Sequence, residues 1–170
     1  MSDLDYVIEP LGSHHDRAAF SCGIVRLDTY LQRQATQDNR NDFAVPFALI
    51  DKNSGAVAGY YTLSSLHIDM GELPTEVTRK LPRYPTAPAT LLGRLAIDKK
   101  YQGRKLGEML LMDALYRSLN SSHEIASMAV VVDAKDEKVR SFYERYDFIQ
   151  FPNSPLRLFL PMKSIAKMFK

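Results

Sequence analysis

The chain has 170 residues, 45% of them apolar and 25% charged, the proportions of an ordinary globular protein. A chain of this length buries roughly 70% of the surface its unfolded form exposes, which argues against disorder and leaves little room for two full domains. Cys22 is the one cysteine, which excludes an internal disulfide and a thiolate metal cluster and fits a reducing compartment. The acidic opening MSDLDY has no basic and apolar leader, and no run approaches the roughly 18 apolar residues of a membrane span. The expectation is a cytoplasmic protein with a single domain over residues 1–170.

The elements follow in chain order. Asp5 to Glu9 reads as a short strand ended by Pro10. Ala18 to about Asp38 reads as helical, with Leu27, Tyr30, Leu31 and Gln34 on one face. Val45 to Asp51 and Val57 to Ile68 read as the arms of a hairpin across Lys52-Asn53-Ser54-Gly55. Residues 69–88 hold Pro74, Pro82, Pro85 and Pro88, an irregular excursion with at most a short helix around Thr75–Leu81. Thr90 to Ile97 is a buried strand, and Leu106 to Leu119 is a helix striped by Leu106, Leu110, Ala114, Leu111 and Leu115. Ala126 to Val132 is an apolar strand of the kind covered on both faces. A second helix spans about Asp136 to Tyr146, followed by strands at Phe148–Phe151 and Arg157–Leu160 and a terminal helical turn or two over 162–169. This order is that of an α/β fold with one mixed sheet and helices on both faces.

Charge is unevenly spread. The formal balance is +2, but Arg79 to Lys105 carries eight basic residues against Asp98 alone, +7 in one segment, and leaves −5 for the rest. A field of that kind favours a polyanionic partner.

Inside that segment lies the stretch LGRLAIDKKYQGRKLGEMLL, from Leu92 to Leu111: an apolar strand, a basic loop with Gln102, Gly103 and Gly107, then an amphipathic helix. A helix start presents unpaired amides and the positive end of its dipole, a setting that holds phosphate, and glycine lets the backbone approach closely. Arg104 and Lys105 add charge toward the same anion. Taken alone, such a loop is a common structural turn. The second informative stretch is VVVDAKDEKVRSFYERYDF, Val130 to Phe148, where Tyr143 on its own is one more member of a core stripe.

Together the two stretches resemble the GNAT-type N-acetyltransferases, whose acetyl-CoA signature is Gln/Arg-x-x-Gly-x-Gly/Ala after the fourth strand and whose later strand–helix unit often reads FYE(R/K)-x-GF. The likeness is greatest to the GNAT toxins of type II toxin–antitoxin modules. It runs through FSCGIVRLDTYL, GYYTLSS, KLPRYP, GRLAIDKKYQG and the closing LFLPM. It implies a mostly antiparallel sheet splayed between strands 4 and 5, with Leu95, Ala96 and Ile97 pairing with the pantetheine of acetyl-CoA. It places Gln102, Gly103, Arg104, Lys105, Leu106, Gly107 and Glu108 around the pyrophosphate, and Tyr143 as the acid that protonates the departing thiolate. The implied reaction is direct acetylation of the α-amine of aminoacyl-tRNA, with translation blocked as the consequence and no metal involved. Implied partners are a second copy of the chain and a ribbon–helix–helix antitoxin, through which alone DNA would be met.

Candidate RNA contacts are Arg79, Lys80, Arg83, Arg94 and Lys99, with Arg33 and Arg40 behind them. Two residues depart from the family pattern: Lys105 stands at the signature's first glycine, and Asp147 replaces the glycine before Phe148. A positive φ at Lys105 would cost on the order of 1 kcal/mol. That departure keeps open a non-catalytic, CoA-binding regulatory module, and the fold keeps open acetylation of a small amine or a protein N-terminus. An acidic gorge would be expected for a cationic small amine, and the basic segment argues against it. Cys22 paired with His14, His15, His67 or His123 is a further nucleophile candidate, and Glu72, Glu76 and Glu124 are scattered candidate bases. The histidines lack metal-binding spacing.

Overall fold

A computed structural model describes residues 5–170; the opening 1–4, part of the acidic start read above, lies outside the described residues. The elements are β1 (Tyr6–Pro10), a helix built of α1 (Val25–Thr29), a π-helical turn (Tyr30–Gln34) and α2 (Ala35–Arg40), β2 (Val45–Asp51) and β3 (Val57–Asp69). A 3-10 turn (Met70–Glu72), α3 (Thr75–Thr78), β4 (Thr86–Ile97), a second 3-10 turn (Lys99–Tyr101) and α4 (Leu106–Ser121) follow. The chain closes with β5 (Ala129–Asp133), α5 (Glu137–Glu144), β6 (Ile149–Phe151), β7 (Ser154–Pro161) and α6 (Met162–Met168). The strands make one mixed sheet in the order β1-β2-β3-β4-β5-β7-β6, with β4 parallel to β5 and the other neighbours antiparallel. The parallel register is short: Thr90, Leu91 and Leu92 lie opposite Val130, Val131 and Val132, and β4 runs on past it to Ile97.

The chain divides into two compact units, one holding the chain up to Ser64 with Gly93–Ala114, the other Ser65–Leu92 with Leu115–Lys170. The first has a core of Phe20, Cys22, Leu27, Tyr30, Leu31, Ala48, Tyr60 and Ala96 among others. Its helix starts at Val25, not at Ala18 as the sequence suggested. The preceding segment is tied down by its own polar groups: Asp16 accepts from the Ala18 amide, Asp28 accepts from the Cys22 amide, and Gly23 is left-handed at φ +97°. These satisfy the backbone locally and stop the helix from extending backwards. The π turn admits one extra residue, and both Tyr30 and Leu31 are buried there. Tyr30 and Phe20 pack against Tyr60, whose hydroxyl donates to the Leu27 carbonyl at 2.7 Å.

The second unit has its core in Ile68, Leu73, Ala89, Ala129, Val131, Phe151 and Phe159. Here β5 pairs with β7 along its whole length, Ala129 opposite Pro161 and Asp133 opposite Arg157. The fourth strand starts at Thr86, ahead of the expected Thr90, so Pro88 lies inside it. Pro88 is exposed, and its carbonyl accepts from the Met128 amide at 2.8 Å, so the missing proline N–H leaves that bond intact. Helix α5 is capped by Asp136, which accepts from the Val139 amide at 2.9 Å.

Candidate active site

The segment between β4 and α4 is held from several sides. Asp98, buried at 6% exposure, caps the 3-10 turn: one carboxylate oxygen accepts from the Lys100 amide at 2.9 Å and the other from the Ser21 amide at 3.0 Å. The Lys99 amide returns the link by donating to the Ser21 carbonyl at 2.8 Å. The Gln102 side-chain amide donates to the carbonyls of Cys22 at 3.1 Å and Ile97 at 3.0 Å. The Gln102 side chain is therefore a tie within the protein, and its backbone is what remains for a ligand. Ile97 likewise has its carbonyl engaged, whereas Leu95 is half-buried and Ala96 buried in the strand interior. Ala96 crosses close to β3: a Cβ on Gly59 would stand 2.8 Å from its carbonyl oxygen and 2.7 Å from Ile97 Cδ1.

Beyond Gln102 the backbone turns left-handed twice, at Gly103 (φ +83°) and at Lys105 (φ +61°). The lysine thus adopts the conformation that a glycine would take without cost, at about 1–2 kcal/mol. The Met109 amide donates to the Lys105 carbonyl at 3.3 Å, so the amides of Leu106, Gly107 and Glu108 precede the helical ladder of α4. Leu106 is buried, Gly107 half-buried, and Gly103, Arg104, Lys105 and Glu108 are exposed. The loop brings together helix-start amides, a dipole end and two cations, chemistry that suits a phosphate.

A neighbouring cluster involves Tyr6, Asp51, Tyr101 and Arg104. The Tyr101 hydroxyl donates to Asp51 at 2.6 Å, which holds the Asp51 carboxyl below its ordinary pKa and raises that of the phenol. The Arg104 guanidinium lies 5.1 Å above the Tyr101 ring and donates to the Tyr6 hydroxyl at 3.4 Å.

In the second unit Tyr143 lies on α5 with its ring between Phe142 (5.2 Å) and Phe148 (5.3 Å) and only 6% exposed. Burial pushes its phenol pKa well up, so the hydroxyl keeps its proton across the neutral range. The same unit holds a cavity of about 510 Å³ lined by Glu72, Asp133, Ala134, Ser154, Pro155, Leu156 and Arg157. Arg157 engages both oxygens of Asp133, at 2.8 and 3.1 Å. Of the scattered glutamates, Glu72 is the one that lines this cavity.

Arg79, Lys80 and Arg83 are exposed on the excursion after α3, and Lys99, Arg33 and Arg40 are exposed in the first unit. Arg94 differs from the rest: it is half-buried, with its guanidinium 3.5 Å from the centre of the Tyr30 ring. The sequence did not point to Asp98, Asp51 or Tyr6, because their partners lie far along the chain; the Tyr101–Asp51 pair spans fifty positions.

The other nucleophile and metal candidates are resolved by the same accounting. Cys22 is buried, its thiol donates to the Ile24 carbonyl at 3.6 Å, and burial raises its pKa to about 11, so the thiolate needed for a covalent route is scarce near pH 7. Glu9, His14 and His15 do converge, with one ligand atom of each within 4.8 Å of the others. However, the Gly12 amide donates to His15 Nδ1 at 2.9 Å, which places the ring proton on Nε2, facing Glu9 Oε1 at 2.7 Å. A metal on Nε2 would have to displace that proton and break the Gly12 bond.

Residues 86–162 match the family described as the acetyltransferase (GNAT) domain. A protein of Mycobacterium tuberculosis (strain ATCC 25618 / H37Rv) named "tRNA-acetylating toxin" is 36% identical over 148 residues, 87% of each chain. Among solved structures, "AtaT complexed with acetyl-methionyl-tRNAfMet" superposes with a TM-score of 0.90 at 30% identity, covering 98% of this chain and 100% of that one. A tyrosine-to-phenylalanine mutant of the AtaT toxin, bound to the C-terminus of the antitoxin AtaR and acetyl-CoA, gives 0.82 at 28% identity over 98% and 99%. A relative this similar over most of both lengths settles the classification: the chain belongs to the GNAT acetyltransferase family.

Proposed function

We propose that the protein acts as one domain over residues 1–170 to move the acetyl group of acetyl-CoA to the α-amine of an amino acid esterified to tRNA, and so blocks translation as the toxin of a toxin–antitoxin pair. The observation that carries this reading is the likeness, along nearly the whole chain, to a toxin bound to acetyl-methionyl-tRNA. The loop supports it. Lys105 adopts the left-handed turn that the signature glycine would make, so the residue that suggested a non-catalytic module leaves the loop's backbone intact.

Acetyl-CoA supplies an activated thioester. Its pyrophosphate would rest on the backbone amides of Gln102 to Glu108 with Lys105 beside them, and its pantetheine would run along Leu95 and Ala96. The amine of an aminoacyl ester is less basic than a lysine side chain, so enough of it is unprotonated near neutral pH to attack without a strong base. The amine adds to the acetyl carbonyl, the C–S bond then breaks, and Tyr143 delivers its phenolic proton to the leaving sulfur. The proton shed by the new amide nitrogen returns to the Tyr143 oxygen by way of solvent. Burial keeps the phenolic proton in place, and it also makes transfer to a free thiolate, whose conjugate thiol has an ordinary pKa near 8.5, an uphill step. Sulfur becomes basic only as the C–S bond breaks, so the proton moves at that point, and its return to the phenolate from solvent draws the transfer to completion.

Arg79, Lys80, Arg83 and Lys99 are exposed cations suited to tRNA phosphates, with Arg33 and Arg40 in support. Arg94, stacked on Tyr30, serves the core of its own unit first. The partners are a second copy of the chain and an antitoxin, read as a ribbon–helix–helix protein whose DNA contacts are its own. No helix among the described residues is long and apolar enough to cross a membrane, and a cytoplasmic setting suits a tRNA substrate. The test is incubation of the purified protein with radiolabelled acetyl-CoA and charged tRNA. Label should appear on the α-amine of the aminoacyl ester, and its absence with every charged tRNA tried overturns the reading.

A further inference from the structure

Coenzyme A carries two separate phosphate groups. The pyrophosphate is a bridging diester that suits the helix-start amides of Leu106 to Glu108. The 3′-phosphate is a monoester with about −1.5 to −2 charge at neutral pH, which is best met by a planar, forked cation. Arg104 is such a cation, and its side chain is braced. Its guanidinium is drawn to Tyr6 on β1 by the 3.4 Å hydrogen bond and lies over the Tyr101 ring.

The brace is itself anchored. Tyr101 is fixed by its 2.6 Å bond to Asp51 and stands edge-on to Tyr6, ring centres 6.3 Å apart. Asp51 is the opposing charge here, and it is already occupied: its second oxygen accepts from the Asn53 amide at 2.9 Å. Arg104 stays exposed while held on two sides, so a ligand would gain a charge-assisted contact without first paying to order the side chain.

We infer that Arg104, braced between Tyr6 and Tyr101, reads the 3′-phosphate of coenzyme A, so that the site discriminates acetyl-CoA from its 3′-dephospho form. This rests on the acetyl-CoA reading above. It gives Arg104 a phosphate different from the one served by the loop backbone.

The experiment is calorimetric titration of the full chain with CoA and with 3′-dephospho-CoA, for the wild type, Arg104→Ala and Arg104→Gln. The wild type should bind CoA roughly 10- to 100-fold more tightly than the dephospho form, the range for a charged hydrogen-bonded contact. Both variants should lose affinity for CoA alone, bringing the ratio to about 3 or below. Equal wild-type affinities overturn the inference, as does a variant that weakens both ligands alike, which would assign Arg104 to the pyrophosphate. Failure of the wild type to bind either ligand overturns the acetyl-CoA reading itself, and this inference with it. Circular dichroism confirms that each variant is folded, which the exposure of Arg104 leads one to expect.

Discussion

Lys105 and Asp147 make a natural pair. Each stands where the resembled family has glycine, and each is left-handed, at φ +61° and +71°. Asp147 follows α5 and closes it: its amide donates to the Glu144 carbonyl at 3.1 Å, and the amides of Tyr146 and Phe148 donate to the Tyr143 carbonyl at 2.9 and 3.4 Å. The strained residue is thus part of a helix stop whose orphan carbonyls it satisfies, and it sets Phe148 against the Tyr143 ring. Lys105 precedes α4, and the amides it turns outward belong to the unpaired first turn of a helix. Strain of this kind clusters at ligand sites, which agrees with the proposed use of this loop for the acetyl-CoA phosphates, whereas the α5 terminus serves the fold by positioning a side chain.

The largest expected effect tests the structural side of that contrast. If packing alone holds Tyr143, Tyr143→Phe keeps the ring stack and loses only the acid. Turnover on charged tRNA should fall by roughly 10²- to 10⁴-fold, the range for a general acid, while the acetyl-CoA dissociation constant stays within about 2-fold. Because burial holds the phenol pKa above its ordinary value of about 10, the wild-type rate should show no alkaline decline from this group below about pH 10. Stopped-time label transfer against pH checks both, and unaltered turnover removes Tyr143 from the mechanism.

The next effect tests the binding side. Asp98→Ala leaves the amides of Ser21 and Lys100 without their part-buried acceptor. Stability should fall by about 2–4 kcal/mol in chemical denaturation, and the KM for acetyl-CoA should rise more than kcat falls, because the loop loses its tie while Tyr143 does not. A drop in kcat with KM unchanged would mean that the loop's shape does not depend on this tie.

Much of this architecture was legible in the sequence. The hairpin turn at Lys52–Gly55 and the stripe of α4 follow from local chemistry, and β2 was read to the residue. The start of the first helix was not legible, because Asp16, Asp28 and the left-handed Gly23 act against an apolar pattern that continues through them. The early start of β4 was hidden by Pro85 and Pro88, which read as breakers unless the partner of the Pro88 carbonyl is known. Within the candidate site the side-chain contacts were not legible: the Gln102 side chain is tied to the Cys22 and Ile97 carbonyls, and Arg94, read as an RNA contact, stacks on Tyr30. Motifs report which backbone is special; partners distant in sequence decide what each side chain is left free to do.

The smallest effects bear most directly on the opening contrast. Lys105→Gly should relieve about 1–2 kcal/mol of left-handed strain and return about 0.5–1 kcal/mol through the freer unfolded chain, a net gain of about 0.5–1 kcal/mol. If the ammonium also serves the pyrophosphate, the same change should weaken acetyl-CoA binding by about 3- to 10-fold, a partial loss suited to an exposed, screened charge. Stability and affinity would then move in opposite directions. Asp147→Gly should do neither: aspartate tolerates the left-handed region better than lysine does, so stability should stay within about 0.5 kcal/mol and acetyl-CoA affinity should be unchanged. Paired denaturation and titration of the two variants separates the cases. Equal gains in stability with equal affinities would mean that the two left-handed residues are alike, and that Lys105 contributes no charge to the cofactor.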